Sequence, residues 1–275
     1  MKFAINKILF DDWKIKLYNN DKCISIKESK NYICKDIKIM PLCVSDYIKY
    51  NNNEKNIFKN NLENIEILDN KSKFGKYMLN KFPDNIPTIF YYNFDTDDAC
   101  AKGTFGAKGT FGCTYKSNII NIKEKLIQKP NKNYGSIGIK IIDNFEDNIK
   151  NHIIQQYFIH KEYFVGHYLV LNGIIICSVY FYSNFSNNIL DQHPITRGLI
   201  DNYEILTTLQ TDDIIFSRIF NDLNYSGFAC ADFTIHNNKI IIFEINPRPG
   251  GSLIHNKKYL NIFLDKLYTL ISSIT

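Results

Sequence analysis

Two acidic residues and one amide residue near the C-terminus of the 275-residue chain are spaced so that they could bind a metal ion together. The stretch Phe228–Ser252 reads FACADFTIHNNKIIIFEINPRPGGS, and its two apolar runs predict neighbouring antiparallel strands. If a three-residue loop at 237–239 joins these strands, Asp232 lies directly opposite Glu244. The alternation of side chains along a strand then places Asn246 on the same face as Glu244.

Facing carboxylates of this kind require a positive charge between them. They repel each other, and the apolar surroundings expected for Phe243 and Ile245 on the other face strengthen the repulsion. Two carboxylates and an amide are hard oxygen ligands, which suit Mg²⁺, or Mn²⁺ in its place, better than zinc. In the alternative interpretation, the hairpin is exposed and its acids face water. We favour the metal site because an exposed hairpin would not be expected to run from IIIFEINP straight into PGGS.

An arginine and a glycine-rich segment follow Asn246. Arg248 is one of only three arginines in a chain that otherwise uses lysine. Its planar guanidinium can grip a carboxylate or a phosphate in one orientation, and a proline on either side restrains its backbone. Gly250, Gly251 and Ser252 offer close backbone approach and free N–H groups to an anion. The segment therefore predicts a site for an anionic substrate beside the metal.

The complete stretch resembles the metal-binding end of the ATP-grasp superfamily. Members commonly carry an aspartate on one strand and a Glu-x-Asn motif on the next, which correspond here to Asp232, Glu244 and Asn246. The resemblance implies that these three residues hold the Mg²⁺ ions that bridge the phosphates of ATP. It also implies that Arg248 acts in catalysis by steadying a carboxylate or an acyl phosphate.

Two lysines and a glycine-rich flap further upstream fit the same family in the expected order. The sequence LDNKSKFGKYML resembles the family's helix that opens with a phosphate-contacting lysine, here Lys71. The sequence LIQKPNKNYGSIGIKII resembles the strand lysine and the flap that follows it. This resemblance implies that Lys129 grips the phosphates during catalysis and that Gly135, Ser136 and Gly138 cover them.

The sequence IIQQYFIHKEYFV is similar to the hinge between the two ATP-binding lobes of the family. The resemblance implies that Gln155 and Gln156 lie at the nucleotide and that backbone groups near Tyr157 and Phe158 read the adenine edge. It further implies that Glu162 binds the ribose hydroxyls. Gln155 stands where many members have glutamate, and an amide can replace that carboxylate at the adenine amino group.

The five motifs cover about residues 68–252, roughly two thirds of the chain. One position departs from the pattern. Cys230 stands two residues before Asp232, where some members have an arginine for the transition state. This difference argues against a close relationship to the D-alanine ligase branch of the family.

The positions of the motifs divide the chain into three expected lobes. Residues 1–68 alternate short apolar runs with polar stretches, which predicts a short N-terminal α/β lobe. The resemblance implies a small ATP-binding lobe with the flap at 69–156 and a large lobe with the metal site at 157–275. The expected fold class is therefore α/β (α+β), an ATP-grasp fold in which two α+β lobes clasp ATP.

Local patterns predict the elements that carry the motifs. The dipeptide Asn172-Gly173 is a strong signal for a two-residue hairpin turn. The predicted helices cover 71–82, 201–223 and the C-terminal segment, where Leu260, Phe263, Leu264, Leu267, Leu270 and Ile271 share one face. The predicted strands cover 88–92, 125–130, the hairpin 162–179, 228–236 and 240–246.

Composition argues against several classes of partner. The net charge of +5 is spread along the chain without a basic block, so we expect no nucleic acid. Seven cysteines without CxxC spacing argue against a disulfide framework and a structural zinc, and they favour the cytoplasm. No segment approaches about 18 uninterrupted apolar residues, so we expect no membrane partner. The protein could also form a homodimer.

A tandem repeat, AKGTFG written twice, occupies residues 101–112. It matches neither the GxxxxGK[ST] nor the GxGxxG phosphate-binding pattern. We interpret it as an insertion that is tolerated in a surface loop of the small lobe. In the alternative interpretation, Lys102 and Lys108 lie on a mobile lid over the acceptor site.

The resemblance implies an ATP-dependent ligase that activates a carboxylate as an acyl phosphate and joins it to an amine, releasing ADP and phosphate. Its partners would be small-molecule carboxylate and amine substrates. Arg197 could face the substrate carboxylate, or it could pair only with a nearby acid. Two other functions stay open at this point. One is a carboxylase-like member that activates bicarbonate, and the other is a regulatory protein that binds ATP without catalysis.

Overall fold

The described residues form one parallel sheet and two antiparallel sheets, together with the helices that pack on them. A computed structural model of the protein describes residues 1–6, 11–25, 37–87, 89–92, 125–132, 138–142, 151–157, 162–184, 203–209 and 214–274. Within these ranges, no helix combines the length and the apolar character needed to cross a membrane.

The N-terminal sheet is parallel, with three strands in the order β2-β1-β3. Its strands are β1 (Lys2–Ile5), β2 (Cys23–Ser25) and β3 (Ile37–Ile39), and its helices are α1 (Asp11–Tyr18), α2 (Val44–Tyr50) and α3 (Leu62–Asp69). Parallel neighbours need a crossover connection, and α1 lies between β1 and β2 in the chain. Phe3 and Ile5 of the central strand are wholly buried. The described residues of this segment combine strands and helices, as expected for an α/β lobe.

The second sheet is antiparallel, with four strands in the order β4-β7-β5-β6. It contains β4 (Ile89–Tyr92), β5 (Leu126–Pro130), β6 (Lys140–Ile142) and β7 (His152–Gln156), and α4 (Lys71–Lys81) precedes it. The Asn70 side chain caps α4 by accepting hydrogen bonds from the N–H groups of Ser72 and Lys73, at 3.0 and 3.1 Å. The cap fixes Lys71 as the first residue of the helix, as the sequence predicts.

The third sheet is antiparallel and has five strands in the order β10-β9-β8-β11-β12. Its strands are β8 (Glu162–Leu171), β9 (Ile174–Asn184), β10 (Glu204–Leu206), β11 (Gly227–His236) and β12 (Lys239–Asn246), and α5 (Ile214–Asp222), α6 (Gly251–His255) and α7 (Lys257–Ile274) accompany them. Asn172 and Gly173 have φ angles of 49° and 78°, as a two-residue hairpin turn requires. The predicted hairpin is confirmed. The predicted apolar face of α7 is also buried, except that Leu270 is half-buried.

The helix predicted over 201–223 is wrong in its first part. Glu204–Leu206 form strand β10, and the helix in this region is α5, which begins at Ile214. The pairing with β9 places Ile205 opposite Phe181. Because such an apolar cross-strand contact stabilises a strand, the tertiary partner outweighs the local helical preference.

Side-chain hydrogen bonds connect the N-terminal segment to the five-stranded sheet. The Asn60 side chain donates to the Ser226 carbonyl at 2.7 Å and accepts from the Ser226 N–H at 2.8 Å. The Tyr47 and Tyr225 hydroxyls, in two wholly buried side chains, lie 3.3 Å apart. The three sheets fall within the ranges 1–68, 69–156 and 157–275, respectively. The division of the chain into lobes itself stays a prediction.

We expect the Gly227→Ala substitution to destabilise the protein by about 2 kcal/mol or more. Gly227 has a φ of 146°, and an added Cβ would overlap the Tyr47 hydroxyl and approach the Tyr225 hydroxyl to 2.8 Å. Urea unfolding measures the effect. Gly251→Ala is the matched control, because its Cβ would meet Trp13 only at an ordinary 3.7 Å. Equal stability of the two variants would contradict the expected strain at Gly227.

Candidate active site

The two acidic residues of the predicted metal site face each other across β11 and β12. Asp232 pairs with Glu244 in the register of the two strands, as predicted. The connection differs from the predicted three-residue loop. Asn237 and Asn238, with φ angles of 50° and 59°, form a two-residue turn, and a β-bulge next to Asp232 adds the residue that restores the register.

The bulge corrects the expected direction of Phe243. The sequence predicts that Phe243 points away from the site, but its ring stacks on Tyr163 at 6.4 Å, and Lys129 Nζ lies 5.7 Å from its centroid. Tyr163 donates a hydrogen bond of 2.8 Å to Asp232 Oδ1. Phe243 therefore lies on the same side as the acids, because a bulge interrupts the strict alternation of side chains. Ile245 is wholly buried.

The first lysine of the predicted phosphate site contacts Glu244 directly. Lys71 Nζ lies 3.1 Å from Glu244 Oε2. On the other carboxylate oxygen, Asn246 Nδ2 donates to Glu244 Oε1 at 2.9 Å. Helix α4 and strand β12 thus bring Lys71 to Glu244 and Asn246, two predicted site residues that lie more than 170 positions later in the chain.

The second lysine is buried beside the same acid. Lys129 is only 4% exposed, although it carries an ammonium group. Burial lowers the pKa of Lys129 to about 8, although the negative charge of Glu244 opposes the shift. A lysine is rarely buried unless an oppositely charged group lies nearby. For Lys129, the carboxyl groups of Glu244 and Asp232 supply that charge.

The two facing carboxyl groups share one negative charge when no cation lies between them. Burial and the facing Glu244 raise the pKa of Asp232 to about 8. Burial also works to raise the pKa of Glu244, but Lys71 and Lys129 hold that pKa below its ordinary value. A divalent cation would take the place of the proton on Asp232. Because the donors are two carboxylates and an amide oxygen, the residues fit Mg²⁺.

Arg248 lies at the end of β12 and contacts the third predicted metal ligand. Its Nη2 donates to Asn246 Oδ1 at 3.4 Å, and its Nη1 donates to the Pro249 carbonyl at 3.3 Å. Asp69 lies close enough for its charge to interact with that of Arg248. The guanidinium therefore borders the predicted metal ligands on the side of the PRPGGS segment.

His167, which sequence reasoning missed, lies between the five-stranded sheet and the PRPGGS segment. His167 on β8 is wholly buried, and its Nε2 is 2.7 Å from Ser252 Oγ. A Cβ on Gly250 would lie 2.5 Å from both His167 Cε1 and Cys230 Sγ. Burial raises the pKa of the Cys230 thiol well above its ordinary value, so Cys230 is an uncharged packing residue. The segment thus rests directly on two side chains of the sheet.

Acid is expected to destabilise the protein through His167. Burial, assisted by Arg248, lowers the pKa of His167 from 6.5 to about 3. Between pH 6.5 and pH 3, His167 binds a proton in the unfolded chain but not in the folded protein. The free energy of unfolding is therefore highest above pH 6.5 and decreases as the pH falls toward 3. Between pH 7 and pH 5, His167→Gln should lose about 2 kcal/mol less unfolding free energy than the wild type. Urea unfolding at both pH values measures this difference, and identical losses would contradict it.

The predicted hinge residues are described in part. Gln155 on β7 is buried and Gln156 is half-buried. The backbone N–H of Tyr157 donates to the Lys125 carbonyl at 2.8 Å, so this N–H is already engaged within the sheet. Glu162 accepts a hydrogen bond of 3.1 Å from the Tyr182 hydroxyl.

Several predicted positions lie outside the described residues. These are Gly135, Ser136, Phe158, Arg197 and the repeat at 101–112. Gly138 of the predicted flap is described and has a φ of 79°, a conformation that favours glycine. The residues brought together around the acidic pair are Lys71, Lys129, Asp232, Glu244, Asn246 and Arg248.

The fold of this chain is that of solved ligases. It is similar to the D-alanine–D-alanine ligase from Bacillus anthracis, with a TM-score of 0.58 and 12% identity over 100% of both chains. The same enzyme complexed with ATP has a TM-score of 0.55 at 12% identity, over 100% of this chain and 99% of that chain. Phosphoribosylamine–glycine ligase from Thermotoga maritima has a TM-score of 0.55 at 14% identity, over 97% of this chain and 75% of that chain. At these identities the likeness concerns the fold alone.

The sequence itself identifies the family. A sequence model of the ATP-grasp domain matches residues 112–252, just over half of the chain. The chain therefore belongs to the ATP-grasp family, and the expected family and fold class are confirmed. No curated protein matches the chain in sequence.

Proposed function

We propose that the protein is an ATP-dependent ligase that activates a substrate carboxylate as an acyl phosphate and joins it to an amine. The observation that carries this proposal is the convergence of Lys71 and Lys129 on Glu244, directly opposite Asp232. One buried and one partly buried lysine beside a carboxylate pair suit the binding of Mg²⁺ together with the phosphates of ATP. ATP would lie between the four-stranded and the five-stranded sheet, in the small and large lobes expected from the sequence.

Asp232, Glu244 and Asn246 would hold Mg²⁺. When bound, the ion supplies positive charge that offsets the negative charge of the phosphate oxygens. Tyr163 orients one of these ligands, because its hydroxyl donates to Asp232 Oδ1 at 2.8 Å. Burial and the Asp232 charge raise the pKa of Tyr163, so its hydroxyl stays a donor.

The two lysines would stabilise the transferring phosphoryl group. A carboxylate oxygen of the substrate attacks the γ-phosphorus, the bond to the β–γ bridging oxygen breaks, and ADP leaves with that oxygen. Lys71 and Lys129 would balance the charge that develops on the phosphoryl oxygens. Arg248, at the rim of the site, would hold the substrate carboxylate and then the acyl phosphate.

Amide formation would complete the reaction. The amine nitrogen attacks the carbonyl carbon of the acyl phosphate, the carbon–oxygen bond to phosphate breaks, and inorganic phosphate leaves. The nitrogen loses a proton in this step.

The hinge residues would hold the nucleotide. Gln155, Gln156 and the Tyr157 carbonyl would contact the adenine, and Glu162 would contact the ribose.

The proposal is tested by measuring ADP release from Mg²⁺ATP with separate pools of amino acids, hydroxy acids and bicarbonate, each with and without added amines. We expect release that depends on both a carboxylate and an amine. An ¹⁸O label in the substrate carboxylate should appear in the released phosphate. Release that depends on bicarbonate and on no amine would instead support the carboxylase-like function. ATP binding without acceptor-dependent release would support the regulatory function and contradict the ligase.

A further inference from the structure

His167 lies on the same face of the five-stranded sheet as the proposed metal ligands. It pairs with Cys230 on β11, and Cys230 stands two residues before Asp232 on the same strand. Side chains two positions apart on a strand share a face. The imidazole therefore belongs to the floor of the proposed active site, although no motif of the sequence includes it.

The hydrogen-bonding pattern of His167 indicates which nitrogen carries the proton. His167 Nε2 contacts Ser252 Oγ at 2.7 Å, whereas Nδ1 is buried and has no partner among the described residues. Buried N–H groups without a partner are rarer than buried acceptors without one. The hydrogen is therefore on Nε2, which donates to Ser252 Oγ. The hydroxyl hydrogen of Ser252 is then free to be donated to another group.

The contacts of the surrounding segment fix where that hydroxyl lies. Gly250 rests against His167 and Cys230, so its backbone cannot move toward the sheet. Arg248, which we propose to hold the substrate carboxylate, belongs to the same segment and interacts with His167 through its charge. Ser252 is half-buried, so its hydroxyl can reach a ligand on the outer side.

We infer that His167 is a positioning residue that holds the Ser252 hydroxyl as a hydrogen-bond donor to the carboxylate substrate. This inference rests on the proposed ligase function. The hydroxyl would add a second contact to the carboxylate that Arg248 holds.

Steady-state kinetics of four variants test the inference with the acceptor pool that supports ADP release. We expect His167→Leu and Ser252→Ala each to raise the apparent KM for the pool roughly tenfold, the scale of a hydrogen bond to a charged group. The KM for ATP should not change. The double variant should be no worse than Ser252→Ala alone, because both changes remove the same contact. His167→Gln should recover most of the affinity, since its amide can donate in place of Nε2.

Cys230→Ala is the matched control, because Cys230 also contacts Gly250 but gives no hydrogen bond to Ser252. We expect it to leave the KM for the pool nearly unchanged. Equal increases in the KM for ATP and for the pool would overturn the inference. Multiplying effects in the double variant would overturn it as well. Both results would leave the ligase function standing, whereas a wild type without acceptor-dependent ADP release would refute that function.

The tautomer of His167 gives a readout that does not depend on activity. Imidazole ¹H–¹⁵N spectra of the ¹⁵N-histidine-labelled protein should show a neutral ring with its hydrogen on Nε2. The His167 signals should shift in Ser252→Ala and vanish in His167→Gln, which also assigns them. A hydrogen on Nδ1 would overturn the inference.

Discussion

Glu244→Gln is expected to lower the rate of ADP release at least about a hundredfold, on the scale of removing a charge-stabilising group. Glu244 faces Asp232 and holds Lys71 at 3.1 Å. The amide keeps the shape of the side chain but loses the negative charge that both the lysines and a divalent cation require. The rate is measured at saturating Mg²⁺ATP with the active acceptor pool.

Asp84→Asn is the control for Glu244→Gln. Asp84 also forms an ion pair with a lysine, Lys239 at 3.3 Å, but both side chains are largely exposed. Exposed ion pairs contribute little, so we expect the wild-type rate and stability. A wild-type rate in Glu244→Gln would remove this residue from the proposed metal site.

Lys129→Met is expected to lower the rate about a hundredfold while leaving the free energy of unfolding unchanged or higher. Burial lowers the pKa of Lys129 to about 8, which means that its charge is costly inside the folded protein. Methionine has a similar length and carries no charge. Activity should therefore fall without a matching loss of stability, as expected for a residue that serves function rather than folding.

Lys81→Met is the control for the loss of one lysine. Lys81 lies at the far end of α4 from Lys71, and its exposed side chain pairs with Asp222 at 3.2 Å. We expect its rate to stay within about threefold of the wild type. A Lys129→Met variant that keeps full activity would show that Lys129 has no role at the phosphates. Urea unfolding of both variants without nucleotide gives the stability comparison.

The sequence predicts the pairing of Asp232 with Glu244, although its reason for the register is wrong. Compared with a two-residue turn and no bulge, a three-residue loop shifts the partner of Asp232 by one position, to Glu244. The observed two-residue turn at Asn237 and Asn238 leaves out that shift, but the bulge restores it, so both connections pair Asp232 with Glu244. The difference changes the side on which Phe243 lies. Local sequence carries no clear signal for a bulge, which depends on both strands.

The contacts that sequence reasoning missed join distant parts of the chain. The hydrogen bond between His167 and Ser252 spans 85 positions, and that between Asn60 and Ser226 spans 166. Neither pair follows from helix or strand periodicity, which reports only local neighbours. In the structure, strand β8 pairs with β11 so that His167 lies opposite Cys230, on the same face as Asp232. The sequence does not show this pairing, because it depends on tertiary structure.

The close approach of Cys230 to Gly250 limits which side chains position 230 can hold. With the Cys230 sulfur 2.5 Å from where a Gly250 Cβ would lie, a longer side chain at 230 has no space in that direction. A substitution to arginine would displace the segment that carries Arg248 before it could add a useful charge. We therefore expect substitutions at positions 230 and 250 to have non-additive effects on stability.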